Sequence, residues 1–230
     1  MEPLLTVGGP QQWAGFIQFS SSQSLQAWFD SYWATLRPYL IAAHDVDEIA
    51  IGTEFERLQN VNPSYWITLL QRVHSVYSGK IIYDMNWTTL KNPPLPKWFW
   101  SPLLNDLGVS LYFPLVDAPK RLTQQEAITL WHDRALVWLD GLAQTTGKSV
   151  IISEIGYANT AYAGYNPYNA AFSAPRDDDE QALLYNAALQ NIHNDSHVIG
   201  VFFWAWLVPP YDPSQKPAAQ ILHQWYSSAH

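Results

Sequence analysis

The sequence predicts an α/β fold, a parallel sheet covered by helices, and three observations lead there. Short β-branched or apolar runs of strand length alternate with longer amphipathic stretches. The 230 residues suffice for one sizeable core and are few for two, so a single domain over 1–230 is expected. The composition, 48% hydrophobic against 14% charged, lies far from that of disordered chains. Periodicity does not separate a closed barrel from an open doubly wound sheet, and both readings stand at this point.

Pro3 to Val7 is a possible first strand, followed by an amphipathic stretch over Leu25 to Ala43. Asp47 to Glu54 (DEIAIGTE) has strand length and leads to a helical pattern at Pro63 to Ser78, with apolar positions Trp66, Leu69, Leu70, Val73 and Tyr77. Gly79 to Trp87 and Leu107 to Leu115 are further strands, then a helix over Gln124 to Thr145. Lys148 to Tyr157 and Ile199 to Trp206 complete the strands; helices over Asp179 to His193 and Ala218 to Ser227 complete the pattern. Long loops at 86–97, 158–178 and 207–216 leave the C-terminal ends of strands, where α/β enzymes build their sites. No glycine-rich phosphate loop follows any strand, which removes most support for a nucleotide-binding version of the fold.

The net charge of −8, without a window dense in Lys or Arg, argues against nucleic acid as a partner. With no cysteine, disulfides, thiol nucleophiles and thiolate metal sites are excluded, while the compartment is left open. The N-terminus lacks a signal-peptide pattern and no run approaches the ~18 apolar residues of a membrane span, so a soluble chain with no membrane partner is expected, unexported as written or secreted if a further N-terminal segment precedes it. Seven histidines are scattered without ligand spacing, and Asp177-Asp178-Asp179-Glu180 reads as the acidic start of a helix rather than a metal site. Aromatic content is unusual, 15% with 12 Trp and 13 Tyr; indole faces suit pyranose rings, although Trp also anchors ordinary cores.

Two apolar runs each end in a glutamate: Glu48-Ile-Ala-Ile-Gly-Thr-Glu54 and Ser149-Val-Ile-Ile-Ser-Glu154. A carboxylate beside buried strand residues is costly unless hydrogen-bonded or protonated, so two such placements need a reason. Cleavage of a glycosidic bond supplies one, because it needs one carboxylic acid to protonate the leaving oxygen and a second carboxylate to attack the anomeric carbon or activate water. Glu54 and Glu154 are therefore the catalytic candidates. Glu56, two residues further on, reads as a solvated or helix-starting charge.

Ile-Gly-Thr-Glu at 51–54, Asn-Trp at 86–87, Leu-Tyr-Phe-Pro-Leu at 111–115, Ser-Glu-Ile-Gly-Tyr at 153–157 and Phe-Phe-Trp-Ala-Trp at 202–206 follow one another at the ends of successive strands. In that order they resemble glycoside hydrolase family 113, the clan A β-mannanases, from residue 1 to the end. The resemblance implies a TIM (β/α)8-barrel in which Glu54 ends strand four as acid/base and Glu154 ends strand seven as the nucleophile of a retaining mechanism. It implies a β-linked hexose polymer of the mannan or glucomannan type as substrate, no cofactor, and carboxyl groups about 5–5.5 Å apart. Tyr112 would then hold the nucleophile, and Thr53, in the place where clan A usually has Asn, would donate to a sugar 2-OH. Trp204 and Trp206, sharing a face of the last strand by its period of two, would floor a sugar subsite. Asn86, Trp87 and Trp13 are further candidates for lining subsites.

The chain departs from the family's pattern in three ways. Only about six strands are offered, so the first two βα units of the barrel are missing. Val7-Gly8-Gly9-Pro10 stands where a Lys-Pro-His-like stretch is expected after strand three, and the arginine usually supplied by strand two has no counterpart. Open parallel edges are aggregation liabilities, and a homodimer covering them is the expected remedy. A descendant that binds saccharide without turnover is the alternative to an active hydrolase, and a different clan A specificity is a third reading.

Overall fold

All five strand candidates from Asp47 onward form strands in the computed structural model, which describes residues 2–5 and 13–227. They alternate with helices in the α/β pattern that the sequence predicts, of TIM-barrel type, with five strands among the described residues. Residues 3–5 of the possible strand Pro3 to Val7 carry no regular structure, and the remainder lies outside the described residues, as does Val7-Gly8-Gly9-Pro10. No helix among the described residues is long and apolar enough to cross a membrane.

The chain divides into two compact units. The first comprises Met1–Val109 with Thr146–Ser149, the second Ser110–Thr145 with Val150–His230.

In the first unit, α1 (Ser22–Ala42) starts where the Ser21 hydroxyl accepts the Ser24 backbone N–H, and it buries Phe29, Tyr32, Leu36 and Leu40 along one face. β1 (Glu48–Thr53) pairs in parallel with β2 (Lys80–Asn86), with Ile49 opposite Ile81 and Thr53 opposite Asp84. Between them α2 (Pro63–His74) begins with Asn62 as cap and Pro63 in the first turn, and buries Trp66, Leu69, Leu70 and Val73, four of the five predicted apolar positions; it ends before Ser78 and leaves Tyr77 beyond it. A short helix α3 (Thr88–Lys91) follows β2, and β3 (Asp106–Ser110) joins β2 where the Asn105 N–H donates to the Ile81 carbonyl. The core is aromatic: Trp66 and Trp98 stack at 4.5 Å between centroids, with Phe55, Tyr83 and Phe99 packed against them, all five at most 1% exposed. Each such ring contributes roughly 1.5–3 kcal/mol by burial.

In the second unit, α4 (Gln124–Trp131) opens on a capping box between Thr123 and Glu126 and continues through a π-helical turn at His132–Leu136 into α5 (Val137–Thr146). β4 (Val150–Ile155) pairs in parallel with β5 (Val198–Phe203), and α6 (Asp178–Ile192) packs against α4 and α7 (Pro217–Ser227). The acidic run does start a helix: Asp177 caps α6 by accepting the Glu180 N–H, and Asp178, Asp179 and Glu180 fill its first turn. Arg121 pairs with Asp177 and Arg176 with Asp178.

Two strands end earlier than their apolar runs. β3 stops at Ser110 rather than Leu115; Leu111, Phe113 and Leu115 are buried without forming a ladder, and Pro114 has no N–H to extend one. β5 stops at Phe203, so Trp204 and Trp206 lie beyond the strand, on a turning segment, and the period of two does not apply to them.

Candidate active site

Glu54 belongs to the first unit and follows β1 directly. Its backbone is left-handed, with φ of 54°, a conformation that costs a non-glycine residue roughly 1–2 kcal/mol. Local hydrogen bonds hold it there: the Glu54 N–H donates to the Asp84 carbonyl at 2.8 Å, and the Glu56 N–H donates back to the Glu54 carbonyl at 2.8 Å. The next residue, Phe55, turns into the aromatic core over Gly52, where a Cβ would stand 2.8 Å from its ring. Gly52 in Ile-Gly-Thr-Glu thus makes room for the side chain that anchors the turn.

Both oxygens of the Glu54 carboxylate accept hydrogen bonds. The Trp13 indole Nε1–H donates to Oε2 at 2.5 Å, and the Asn86 amide Nδ2 donates to Oε1 at 2.6 Å. Asn86 ends β2, and its Oδ1 accepts the Thr88 backbone N–H at 3.0 Å. Three residues singled out in the sequence, Glu54, Asn86 and Trp13, therefore meet in one cluster. Thr53 is 4% exposed and donates its hydroxyl to Glu2 at 3.1 Å. Trp87 caps α3, half-buried, with the Lys91 ammonium 4.9 Å above its ring.

Glu154 belongs to the second unit and lies inside β4. Its carbonyl accepts the Leu111 N–H at 2.7 Å, while its Oε2 accepts the Tyr112 hydroxyl at 2.9 Å. One dipeptide, Leu111-Tyr112, thus holds both the backbone and the side chain of Glu154. Two residues on, Gly156 admits a close approach: a Cβ there would stand 2.2 Å from the Trp204 carbonyl oxygen, and the Trp204 N–H donates to the Ile155 carbonyl at 2.8 Å. Trp204 is half-buried and Trp206 is 57% exposed.

Tyr211, Gln181 and Asp212 were not singled out in the sequence. Tyr211 stands edge-on to Tyr112 at 6.4 Å and donates its hydroxyl to the Pro167 carbonyl at 2.7 Å, with its own acidity pushed down by burial to a pKa of about 12. Gln181, fully buried, clamps the carbonyls of Tyr157 and Tyr211 at 2.8 and 3.0 Å. Asp212 accepts the N–H groups of Leu207 and Ser214, which together with the Ser214 hydroxyl hold its pKa down to about 2. The sequence signal for Tyr211 and Asp212 is the proline-flanked loop, Pro209-Pro210-Tyr211-Asp212-Pro213, and Gln181, inside α6, carries none.

The profile of glycoside hydrolase family 113 matches residues 2–226. Among solved structures, the chain is similar to the family 113 β-mannanase AaManA from Alicyclobacillus acidocaldarius in complex with ManMIm, at TM-score 0.76 and 22% identity, covering 94% of this chain and 69% of that one. It is similar to a second family 113 β-1,4-mannanase at TM-score 0.77 and 19% identity, covering 94% of this chain and 70% of that one. A β-glucuronidase from Ruminococcus gnavus shares the fold at TM-score 0.60 and 12% identity, over 90% of this chain and 37% of that one. No curated protein matches the sequence.

Proposed function

The chain belongs to glycoside hydrolase family 113, and from that membership we propose a retaining hydrolase of β-1,4-linked mannan or glucomannan. Glu154 attacks the anomeric carbon and forms a glycosyl-enzyme bond as the leaving oxygen takes a proton from Glu54; Glu54 then draws a proton from the water that releases the sugar. The observation that carries this reading is the pair of strand-end glutamates with dedicated donors: an indole and an amide on Glu54, a phenol on Glu154. Trp204 and Trp206 offer indole faces to sugar rings, and Asn86, Trp13 and Tyr112 act through the carboxylates that they hold. Thr53, with its hydroxyl on Glu2, supports β1 more directly than it serves a sugar. The β-mannanase neighbours support mannan over other β-linked polymers.

Incubation with mannan, glucomannan and cellulose oligomers, followed by product chromatography, tests the reading. Release of mannobiose-type products with the β configuration first retained in NMR supports it. Glu154→Gln and Glu54→Gln should each abolish turnover on natural substrates while leaving saccharide binding measurable. The second reading is a saccharide binder without turnover. Binding with no hydrolysis by the parent protein on any of these polymers would select it. A homodimer that covers open sheet edges belongs to either reading; Ile199 and Phe202 of β5, 50% and 65% exposed, offer it apolar surface, and it would appear as twice the monomer mass in sedimentation.

A further inference from the structure

The amide of Asn86 has two faces that differ only in which atom is nitrogen, and the reading of Glu54 as acid/base depends on the nitrogen facing it. Thr88 decides between them. Its backbone N–H, which can only donate, meets Asn86 Oδ1 at 3.0 Å, and its hydroxyl lies 2.7 Å from the same oxygen. The hydroxyl oxygen is fixed from the far side by Glu56, whose Oε1 stands 2.5 Å away. The single hydroxyl proton has two acceptors at hand, Asn86 Oδ1 and Glu56 Oε1; in either assignment the Thr88 backbone N–H needs an acceptor, so Asn86 keeps Oδ1 toward Thr88 and Nδ2 toward Glu54, at 2.6 Å.

Glu56 is itself placed by the turn that carries Glu54. Its N–H donates to the Glu54 carbonyl, and its carbonyl accepts the Asn60 side-chain amide at 2.9 Å. The two ends of the chain Glu56–Thr88–Asn86–Glu54 therefore start from the same turn after β1, and its middle comes from the end of β2 and the start of α3. In either placement of the hydroxyl proton, every donor of this loop meets an acceptor only with the Asn86 amide in this orientation.

We propose that Thr88, held by Glu56, is a positioning residue of the hydrolase: it locks the Asn86 amide in the orientation that presents its N–H to Glu54. The proposal rests on Glu54 as the acid/base, and its test separates the two. The Trp13 indole N–H, donated to Glu54 Oε2, is a resonance in a clear region of a 15N-edited spectrum and reports the state of that carboxylate without any substrate. Its position against pH is to be recorded in the parent, Thr88→Val and Thr88→Ser proteins, with Trp13→Phe identifying the peak.

Thr88→Val removes the hydroxyl and puts a methyl beside Asn86 Oδ1, which leaves the backbone N–H alone to hold the amide and loosens its hold on Glu54. The indole titration midpoint then rises by about half a pH unit, because Glu54 as a carboxylate has a weaker hydrogen bond. On a substrate that the parent cleaves, kcat falls about tenfold with KM within about twofold, and Thr88→Ser restores both readouts. An unchanged midpoint in Thr88→Val, in a protein whose other resonances are retained, overturns the proposal. So does a Thr88→Ser protein that behaves like Thr88→Val, since that would mean packing of the threonine methyl and not its hydroxyl. Absence of hydrolysis in the parent would count against Glu54 as acid/base and leave the indole titration to decide the role of Thr88.

Discussion

Glu54 and Glu154 follow similar apolar runs, yet the two units hold them by different means. Glu54 stands outside its strand in a left-handed turn, and its carboxylate is fixed by side chains, Trp13 and Asn86. Glu154 stands inside its strand, with its backbone in a hydrogen bond to Leu111 and its carboxylate on the hydroxyl of the very next residue, Tyr112. A position built from side chains can be altered one atom at a time. A position held through the strand's own backbone moves only if the strand does.

The sharpest break of this comparison is at the glycines that precede and follow the glutamates. Gly156→Ala would put a Cβ 2.2 Å from a backbone oxygen that cannot swing aside. It should cost more than about 3 kcal/mol in urea unfolding. Gly52→Ala meets the edge of the Phe55 ring at 2.8 Å, which a small rotation relieves. It should cost about 1–2 kcal/mol. Equal costs at the two glycines would show that the units do not differ in this way.

Trp13→Phe keeps the ring and deletes the indole donor to Glu54 Oε2. Turnover of a mannan substrate should fall about tenfold, as for loss of one hydrogen bond to a charged group. Tyr112→Phe deletes the donor to Glu154 Oε2. The loss should be of similar size or smaller, about three- to tenfold, because the Leu111 N–H still holds the backbone of Glu154. A Tyr112→Phe protein weaker than Trp13→Phe would reverse the order argued here.

The smallest effect concerns Glu180, 5% exposed, whose pKa is raised chiefly by burial, with Asp177 adding to it and Arg121 opposing. A carboxyl with a raised folded pKa binds protons more tightly in the native state, so its contribution is present below its unfolded value and is lost as pH rises through its folded value. Glu180→Gln should raise Tm by a few degrees at pH 7, the shift made by about 1 kcal/mol in a chain of this size. The gain should shrink as the pH is lowered toward the usual carboxylate range, and thermal melts from pH 4 to pH 8 would read it.

Much of this was legible beforehand because the periods of two and 3.6 are local. The buried face of α2, Trp66, Leu69, Leu70 and Val73, follows the predicted spacing, and Tyr77, the fifth predicted position, is buried beyond the end of the helix. So do the helix start at Asp177 and the glutamates at the ends of β1 and β4. Strand ends were less legible because burial outlasts the ladder: Leu111, Phe113 and Leu115 are as apolar and buried as β3 itself. The hold of Trp13 on Glu54 spans 41 positions and leaves no local trace. The tryptophan surplus also divides once it is folded, since Trp66, Trp98 and Trp131 are core residues while Trp206 is exposed.

The Trp66–Trp98 stack has an optical consequence. Two indoles 4.5 Å apart with planes 7° from parallel couple their ultraviolet transitions, and in a chiral surrounding such a pair gives a split circular dichroism band. Both partners belong to the first unit, so the amplitude of that band follows the melting of this unit alone. Set beside the far-ultraviolet signal of the whole chain, it reads directly whether the two units unfold together or in turn.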